Sequence, residues 1–198
     1  MKNLIMIQVV TPDYREKFFG HLQKNLGNSF RLYSGDVDFQ KSIKSEHNVL
    51  KTKIINTFLF KRSLLFQFGS HWQELFKKNI MVIGLNPRII SNWIFLILRK
   101  PLGLKTYVWG HAWPRKGPNS KTARIRHLMQ RFASGTITYS EAHKKELMVK
   151  YPKLRILSAP NALYSQSEMG GLELSMDEAK NIIYVGRLVA AKKPLFLV

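Results

Sequence analysis

Leu4-Ile-Met-Ile-Gln-Val-Val10, followed by an amphipathic stretch over 13–26 and then by Phe30-Arg-Leu-Tyr33, is the part of the sequence that decides the fold. The first and last pieces are short runs of strand-forming residues. The middle piece has an acidic residue in its first turn, where it favours the helix dipole, and apolar residues at helical spacing: Asp13, Phe18, Leu22 and Leu26. Strand, helix and strand at this spacing predict a βαβ unit. The expected fold class is therefore α/β, a Rossmann-like parallel sheet with helices on both faces.

The alternation of strands and helices resumes after residue 70. The predicted helices cover 71–78, 89–98, 121–132 and 141–150, and the predicted strands cover 80–85, 105–109, 136–139 and 155–158. Before residue 70 the pattern is less regular. Strand formers on both sides of Lys61-Arg62 predict a β-hairpin, or an excursion at the sheet edge, over 49–68.

The predicted helix over 121–132 is both amphipathic and basic. Four apolar residues follow the i, i+3, i+4, i+7 spacing of a core-facing stripe: Ile125, Leu128, Met129 and Phe132. Arg124, His127 and Arg131 lie on another face. No acidic neighbour offsets their charge, so this face is either a solvated surface or a surface that binds anionic lipid.

The net charge of +20 is concentrated in the middle of the chain. Residues 51–150 hold 19 Lys and Arg against 3 Asp and Glu, and no acidic residue occurs between Glu74 and Glu141. A field of this size attracts anionic partners such as nucleic acid, acidic lipid headgroups or phosphorylated substrates. We expect no nucleic-acid partner, because the basic residues are not interleaved with aromatic ones on a single sheet, as stacking on bases requires.

Several classes of protein are excluded by what the sequence lacks. It has no cysteine, which rules out disulfides and thiolate metal sites. No apolar run approaches the roughly 20 residues that a spanning helix needs. Phosphate-binding loops, dinucleotide fingerprints, hydrolase nucleophile elbows and zinc-protease motifs are also missing.

Asn181-Ile-Ile-Tyr-Val-Gly-Arg-Leu-Val-Ala-Ala-Lys-Lys-Pro194 carries the most specific functional pattern. A short strand, 182–185, ends at Gly186, which permits a tight exit. Arg187 and Lys192 follow at a spacing that aims both at one anion, and a guanidinium fork together with an ammonium suits a diphosphate. An ordinary strand with basic residues at its end is the simpler interpretation of this stretch alone.

Three upstream motifs favour the functional interpretation of this stretch. They are Trp109-Gly110-His111, then Ile137-Thr-Tyr-Ser140 before a helix that ends at Tyr151-Pro152, then Pro160-Asn161-Ala162. In this order, with Gly186-Arg187-Leu-Val-x-x-Lys192 after them, they resemble the family 4 glycosyltransferases of the GT-B fold. The resemblance covers about 107–194. The glycine-rich loop that many members carry after the first strand is replaced here by Thr11-Pro12-Asp13-Tyr14-Arg15.

The resemblance implies transfer of a sugar, with retention, from a nucleotide sugar to a glycan or lipid-linked acceptor. The setting would be bacterial surface polysaccharide or lipopolysaccharide synthesis, at the cytoplasmic face of the membrane. His111 would be catalytic, and Gly186, Arg187 and Lys192 would hold the donor diphosphate without a metal or other cofactor. The basic residues Arg115, Lys116, Arg124 and Arg131 would face the acceptor or an acidic membrane surface.

The implied domains are an acceptor-side domain over 1–163, a linker over 164–180 and the start of a nucleotide-sugar domain over 181–198, with the hinge at Pro160 and Asn161. We expect residues 1–198 alone to be inactive, because a GT-B enzyme needs a complete second domain of about 150 residues. The rival hypothesis is a non-catalytic basic module that binds acidic lipid or RNA.

Overall fold

Strand β1 (Leu4–Val10) lies inside a seven-stranded parallel sheet in the computed structural model, which describes residues 3–40, 43, 45 and 49–159. The other strands are β2 (Phe30–Gly35), β3 (Thr52–Lys53), β4 (Ile55–Leu59), β5 (Leu64–Phe68), β6 (Ile80–Gly84), β7 (Thr106–Gly110), β8 (Gly135–Thr138) and β9 (Ile156–Ser158). The α-helices are α1 (Glu16–Leu26), α2 (Ile90–Arg99), α3 (Lys121–Phe132) and α4 (Glu141–Lys150).

The order of strands across the sheet is β3-β2-β1-β6-β7-β8-β9, and every neighbouring pair is parallel. In the shared register, Ile7 lies opposite Tyr33 on β2 and Ile83 on β6. The chain therefore runs outward from β1 in both directions, as in a doubly wound sheet. The predicted Rossmann-like α/β fold is confirmed.

Alternate residues of β1 pack into two cores on opposite faces of the sheet. Ile5 and Ile7 join a cluster with Phe95 and Leu96 of α2 and Met129 of α3. On the other face, the cluster contains residues from β1, α1, β2 and β6: Met6, Phe19, Leu32 and Val82. Because parallel strands are covered on both faces, their sequences are almost continuously apolar, and this is why β1 and β6 are so easily recognised.

The hairpin predicted before residue 70 is present as β4 and β5, an antiparallel pair outside the main sheet. Just before it, β3 adds two residues to the edge of the sheet beside β2. The hairpin turn is unusual because Phe60, Lys61 and Arg62 all have left-handed φ angles, of 48°, 51° and 65°.

The prediction of a helix over 71–78 is wrong. Only a short 3₁₀ turn, Ser70–Glu74, forms there. The carbonyl oxygens of Glu74, Leu75, Lys77 and Asn79 accept hydrogen bonds from the buried guanidinium of Arg99 instead of continuing a helical ladder.

The predicted core stripe of α3 is also partly wrong, although the bounds of the helix are correct. Ile125 and Leu128 are 46% and 45% exposed. Met129 is buried as predicted and Phe132 packs against the core, but Ala123 and Gln130 are buried as well, and Arg126 and His127 are half-buried. Two contacts hold the inward face of α3. Arg126 donates a hydrogen bond to the carbonyl of His111, and the ring of His127 stacks on that of Tyr151 with 3.7 Å between the ring centroids.

Candidate functional site

A cavity of about 210 Å³ lies at the carboxyl edge of the sheet, where β1, β6 and β7 end. The chain leaves β1 towards one side of the sheet and β6 towards the other, so the cavity lies at the topological switch point. Ligands of open α/β sheets bind in the crevice at this point. The cavity is smaller than the roughly 300–1,000 Å³ of typical ligand pockets, which favours one small group as its occupant.

The segment after β1 places Arg15 in the wall of this cavity. Its side chain is 7% exposed, and its Nη2 donates to the hydroxyl of Tyr139 at 2.9 Å. The guanidinium lies 4.6 Å from the ring centroid of Trp109, within the range of a cation–π contact. The aromatic contact and the hydrogen bond together offset part of the cost of burying this charge.

Arg126 reaches the same cavity from α3. Its Nη1 donates to the backbone carbonyl of His111 at 2.9 Å, which ties the helix to the loop after β7. Its Nε is buried and has no hydrogen-bond partner among the described residues. Burial lowers the pKa of Arg126, and the nearby Tyr139 phenol opposes that shift.

His111 lies at the mouth of the cavity, directly after β7. Its exposed imidazole contacts Tyr139 edge-on at 4.8 Å and lies 5.9 Å from the ring of His143. Partial desolvation lowers the pKa of His111, and the positive charges of its neighbours lower it further: His143, Arg126, Arg15 and Arg115. The imidazole is therefore neutral at pH 7 and can accept a proton or donate a hydrogen bond.

A close contact with Leu85 explains why a glycine precedes His111. A β-carbon at position 110 would lie 3.0 Å from Cβ of Leu85, which is tighter than an ordinary contact. The glycine thus allows the ends of β6 and β7 to approach closely and places His111 beside the cavity.

The described lining of the cavity holds more cationic than anionic side chains. Among the described residues that line it, two guanidiniums and one imidazole face a single carboxylate, that of Asp38. The Asp38 carboxylate already accepts the backbone N–H of Gln40 at 2.8 Å. Neutral donors complete the wall, from Gln8, Tyr14, Asn86 and Tyr139. This lining favours an anionic or hydroxyl-rich ligand.

The other predicted site residues lie elsewhere. Arg115 and Lys116 are exposed in the loop after β7, and Arg124 and Arg131 are exposed on α3. None of these four lines the cavity. The predicted hinge residues, Pro160 and Asn161, and the predicted diphosphate residues, Gly186, Arg187 and Lys192, lie outside the described residues.

Arg15, Arg126 and Tyr139 were not predicted as residues of the cavity. Arg15 and Tyr139 had a signal, because Arg15 closely follows the first predicted strand and Tyr139 ends another, at the edge where ligands bind. Arg126 had none. Its position depends on the rotation of α3, and the apolar residues of that helix indicated a different rotation.

A second cavity, of about 320 Å³, lies on the α1 face of the sheet and is almost entirely apolar. Its described lining has no charged side chain and comes mainly from β1, β6, β7 and α1. Trp109 borders both cavities. The apolar cavity is larger but offers no acid, base or anion-binding group, so the chemistry is concentrated at the carboxyl edge.

In the part of the chain that the structure describes, no group of three or more His, Asp or Glu side chains could hold a metal ion. Metal-independent chemistry stays a prediction. The helices of that same part include none whose length and apolar character would let it cross a membrane.

No protein-family model matches this sequence, and no curated protein matches it at a significant level.

Proposed function

We propose that this chain forms the acceptor-side domain of a glycosyltransferase of the GT-B fold, similar to family 4. It would take part in transfer of a sugar from a nucleotide sugar to a glycan or lipid-linked acceptor. The observation that carries the proposal is that His111, from the Trp109-Gly110-His111 motif, lies at the mouth of a cavity at the switch point of the sheet. The small volume of that cavity suits the end of an acceptor better than a whole nucleotide sugar.

In the proposed reaction, the bond between the sugar carbon and the donor diphosphate breaks, and the nucleoside diphosphate leaves with the electron pair. The acceptor hydroxyl oxygen forms the new bond and passes its proton to an oxygen of the leaving diphosphate. His111, neutral and exposed at the mouth, would contact the sugar as it is transferred. Arg187 and Lys192 would stabilise the negative charge that develops on the leaving diphosphate.

The test is a donor screen on the complete product of the coding sequence that contains residues 1–198. Release of nucleoside diphosphate is measured with a panel of nucleotide sugars and a glycolipid extract as acceptor. We expect one donor to be used, and His111→Ala to lower turnover by about 10²-fold. His21→Ala is the matched control, because His21 is exposed on α1, away from the cavity. The proposal fails if no nucleotide sugar is consumed, or if both variants keep normal turnover.

We also propose that the protein associates peripherally with an acidic membrane surface through the outer face of α3, defined as Lys121, Arg124, Ile125, Leu128 and Arg131. All five side chains are exposed and follow one another at helical spacing. Apolar residues beside basic ones are typical of helices that lie in the interface of an anionic bilayer. The same observation favours the rival hypothesis of a lipid-binding module without turnover.

Vesicle co-sedimentation tests this association. Each exposed basic residue at a surface contributes about 1 kcal/mol to binding of anionic lipid, so Arg124→Gln with Arg131→Gln should weaken binding by roughly 30-fold. Lys145→Gln with Lys153→Gln removes the same charge from exposed positions on and after α4. Equal losses in the two double variants would contradict a role for this face. Tight binding to RNA instead would favour the nucleic-acid version of the rival.

A further inference from the structure

Resting on the proposed function, we infer that the acceptor carries a phosphate group, and that Arg126 and Arg15 hold this group inside the cavity at the carboxyl edge. The proposal concerns the chemical class of the acceptor. A phosphorylated sugar and a phosphorylated lipid share that chemistry, and the experiment below distinguishes them.

The two arginines approach the cavity from different elements. Arg15 follows β1 and Arg126 belongs to α3, and Tyr139, after β8, lies close to both. Because Arg15 is fixed by Tyr139 and by the face of Trp109, its guanidinium is held in place before any ligand arrives. Arg126 is held in the same way by the carbonyl of His111. Preorganised donors of this kind lose little entropy when they bind an anion.

Two buried N–H donors of the cavity wall lack a partner among the described residues. They are Nε of Arg126 and Nε2 of Gln8. A buried donor without an acceptor destabilises the fold, and does so more strongly when the group is charged. Two such donors around one cavity are explained together if a ligand supplies the acceptor oxygens.

The number of donors favours phosphate over a carboxylate. A carboxylate offers two oxygens in one plane, whereas a phosphate monoester offers three oxygens that point in different directions. Guanidinium groups from two elements, with an amide from β1, suit the tetrahedral arrangement.

Arg15 belongs to Thr11-Pro12-Asp13-Tyr14-Arg15, the segment that stands in place of the glycine-rich loop of many family 4 members. A glycine-rich loop presents backbone N–H groups, whereas this segment presents a fixed cation and the ring of Tyr14. The cation that carries the inference therefore comes from a segment that departs from the family's pattern. A phosphate inside the cavity would leave the remainder of the acceptor at the mouth, beside His111.

The experiment is calorimetric titration of the purified 198-residue chain with four probes. They are inorganic phosphate, glucose 1-phosphate, short-chain phosphatidic acid below its micellar concentration, and uncharged methyl glucoside. We expect one or more phosphate-bearing probes to bind and methyl glucoside not to bind. The tighter of glucose 1-phosphate and phosphatidic acid identifies a soluble or a lipid acceptor.

Arg126→Gln should weaken phosphate binding by about 10- to 100-fold, since it removes a charged hydrogen-bond donor. Arg126→Lys should weaken it less, because the charge stays while the fork is lost. Arg155→Gln is the matched control, because Arg155 is exposed, does not line the cavity and undergoes the same change in charge, and this variant should bind as the unaltered chain does. Circular dichroism of each variant shows whether the fold is kept.

Equal binding of methyl glucoside, or equal affinities of Arg126→Gln and Arg155→Gln, would overturn the inference. These outcomes are independent of the donor screen. A working transferase without phosphate binding has an uncharged acceptor, which overturns only the inference. Phosphate binding that depends on Arg126 without sugar transfer supports the anion site and overturns the proposed enzyme.

Discussion

At the scale of single residues, Arg99 organises the polypeptide between β5 and β6. Its side chain is fully buried at the end of α2. It donates hydrogen bonds to the Thr106 hydroxyl, to the Asn79 side chain and to several backbone carbonyls, among them those of Glu74 and Leu75. Burial lowers the pKa of Arg99, and the negative charge of Glu74 opposes that shift. The guanidinium thus supplies donors to the irregular segment that forms in place of the predicted helix over 71–78.

We therefore predict that Arg99→Met destabilises the fold by at least about 3 kcal/mol, because several carbonyl oxygens and two side chains lose a buried, charged donor at once. Urea unfolding measures this as a lower midpoint at an unchanged slope. Arg124→Met, at an exposed position, should change the free energy of unfolding by less than about 0.5 kcal/mol. Similar midpoints for the two variants would refute this role of Arg99.

His71 makes stability depend on pH. Its ring is fully buried among Tyr33, Trp72 and Phe95, and burial lowers its pKa from 6.5 to about 4. Below pH 6.5 the imidazole of His71 takes up a proton in the unfolded chain but not in the folded chain. The contribution of His71 to the free energy of unfolding is therefore fully present above pH 6.5. It falls by about 3 kcal/mol as the pH decreases towards 4.

The test compares His71→Phe with the unaltered protein by chemical unfolding at several values between pH 7 and pH 4. The phenylalanine variant should lose less stability across this window, whatever its stability at pH 7. Parallel pH profiles for the two proteins would show that His71 is not the cause.

At the scale of elements, α3 shows why the sequence predicts bounds better than orientation. Its N-cap, Ser120, accepts the backbone N–H of Ala123, and both ends of the helix agree with the prediction. Its rotation agrees only in part, because two sets of residues satisfy the same i, i+3, i+4, i+7 spacing. The polar set, with Arg126, turns inward because loop carbonyls and aromatic rings from other elements meet it there. The sequence of the helix alone does not predict contacts with other elements.

The β4–β5 hairpin provides the prediction at this scale. Its turn holds three successive non-glycine residues in left-handed conformations, each of which costs about 1 kcal/mol or more. Lys61→Gly should therefore raise the free energy of unfolding by about 0.5–1 kcal/mol, after the greater freedom of glycine in the unfolded chain is subtracted. Lys61→Ala removes the same charge but keeps the β-carbon, so thermal unfolding of both variants isolates the backbone effect. An alanine variant as stable as the glycine one would contradict the argument.

At the scale of the whole molecule, the sheet was the feature most fully predicted. Strands such as β6 and β7 are buried on both faces, and their apolar runs are distinct in the sequence. The candidate site was predicted only in part. His111 follows a strand and carries a motif, whereas the arginines of the cavity come together through the packing of α3 against the strand ends.

The proposed transfer depends on residues far apart in the chain, and we predict that Arg187→Ala and Lys192→Ala act on turnover. Charge on the leaving diphosphate grows in the transition state, so each change should lower kcat by about 10²–10³-fold without merely raising KM. Steady-state kinetics of the complete gene product measure this. Lys193→Ala, at the neighbouring position, is the control. Near-normal kcat in either variant would remove the diphosphate assignment.

The strand order also determines how the protein can assemble during synthesis. Since β1 is made first and the described strands of the sheet add outward from it on both sides, none of them has to insert between two strands already paired. Ribosomes add about 5–20 residues per second, so the stretch from β6 to β9 emerges over roughly 4–16 seconds. β6 meets the free edge of β1, each later strand meets the open edge of its predecessor, and the order of translation becomes the order of assembly.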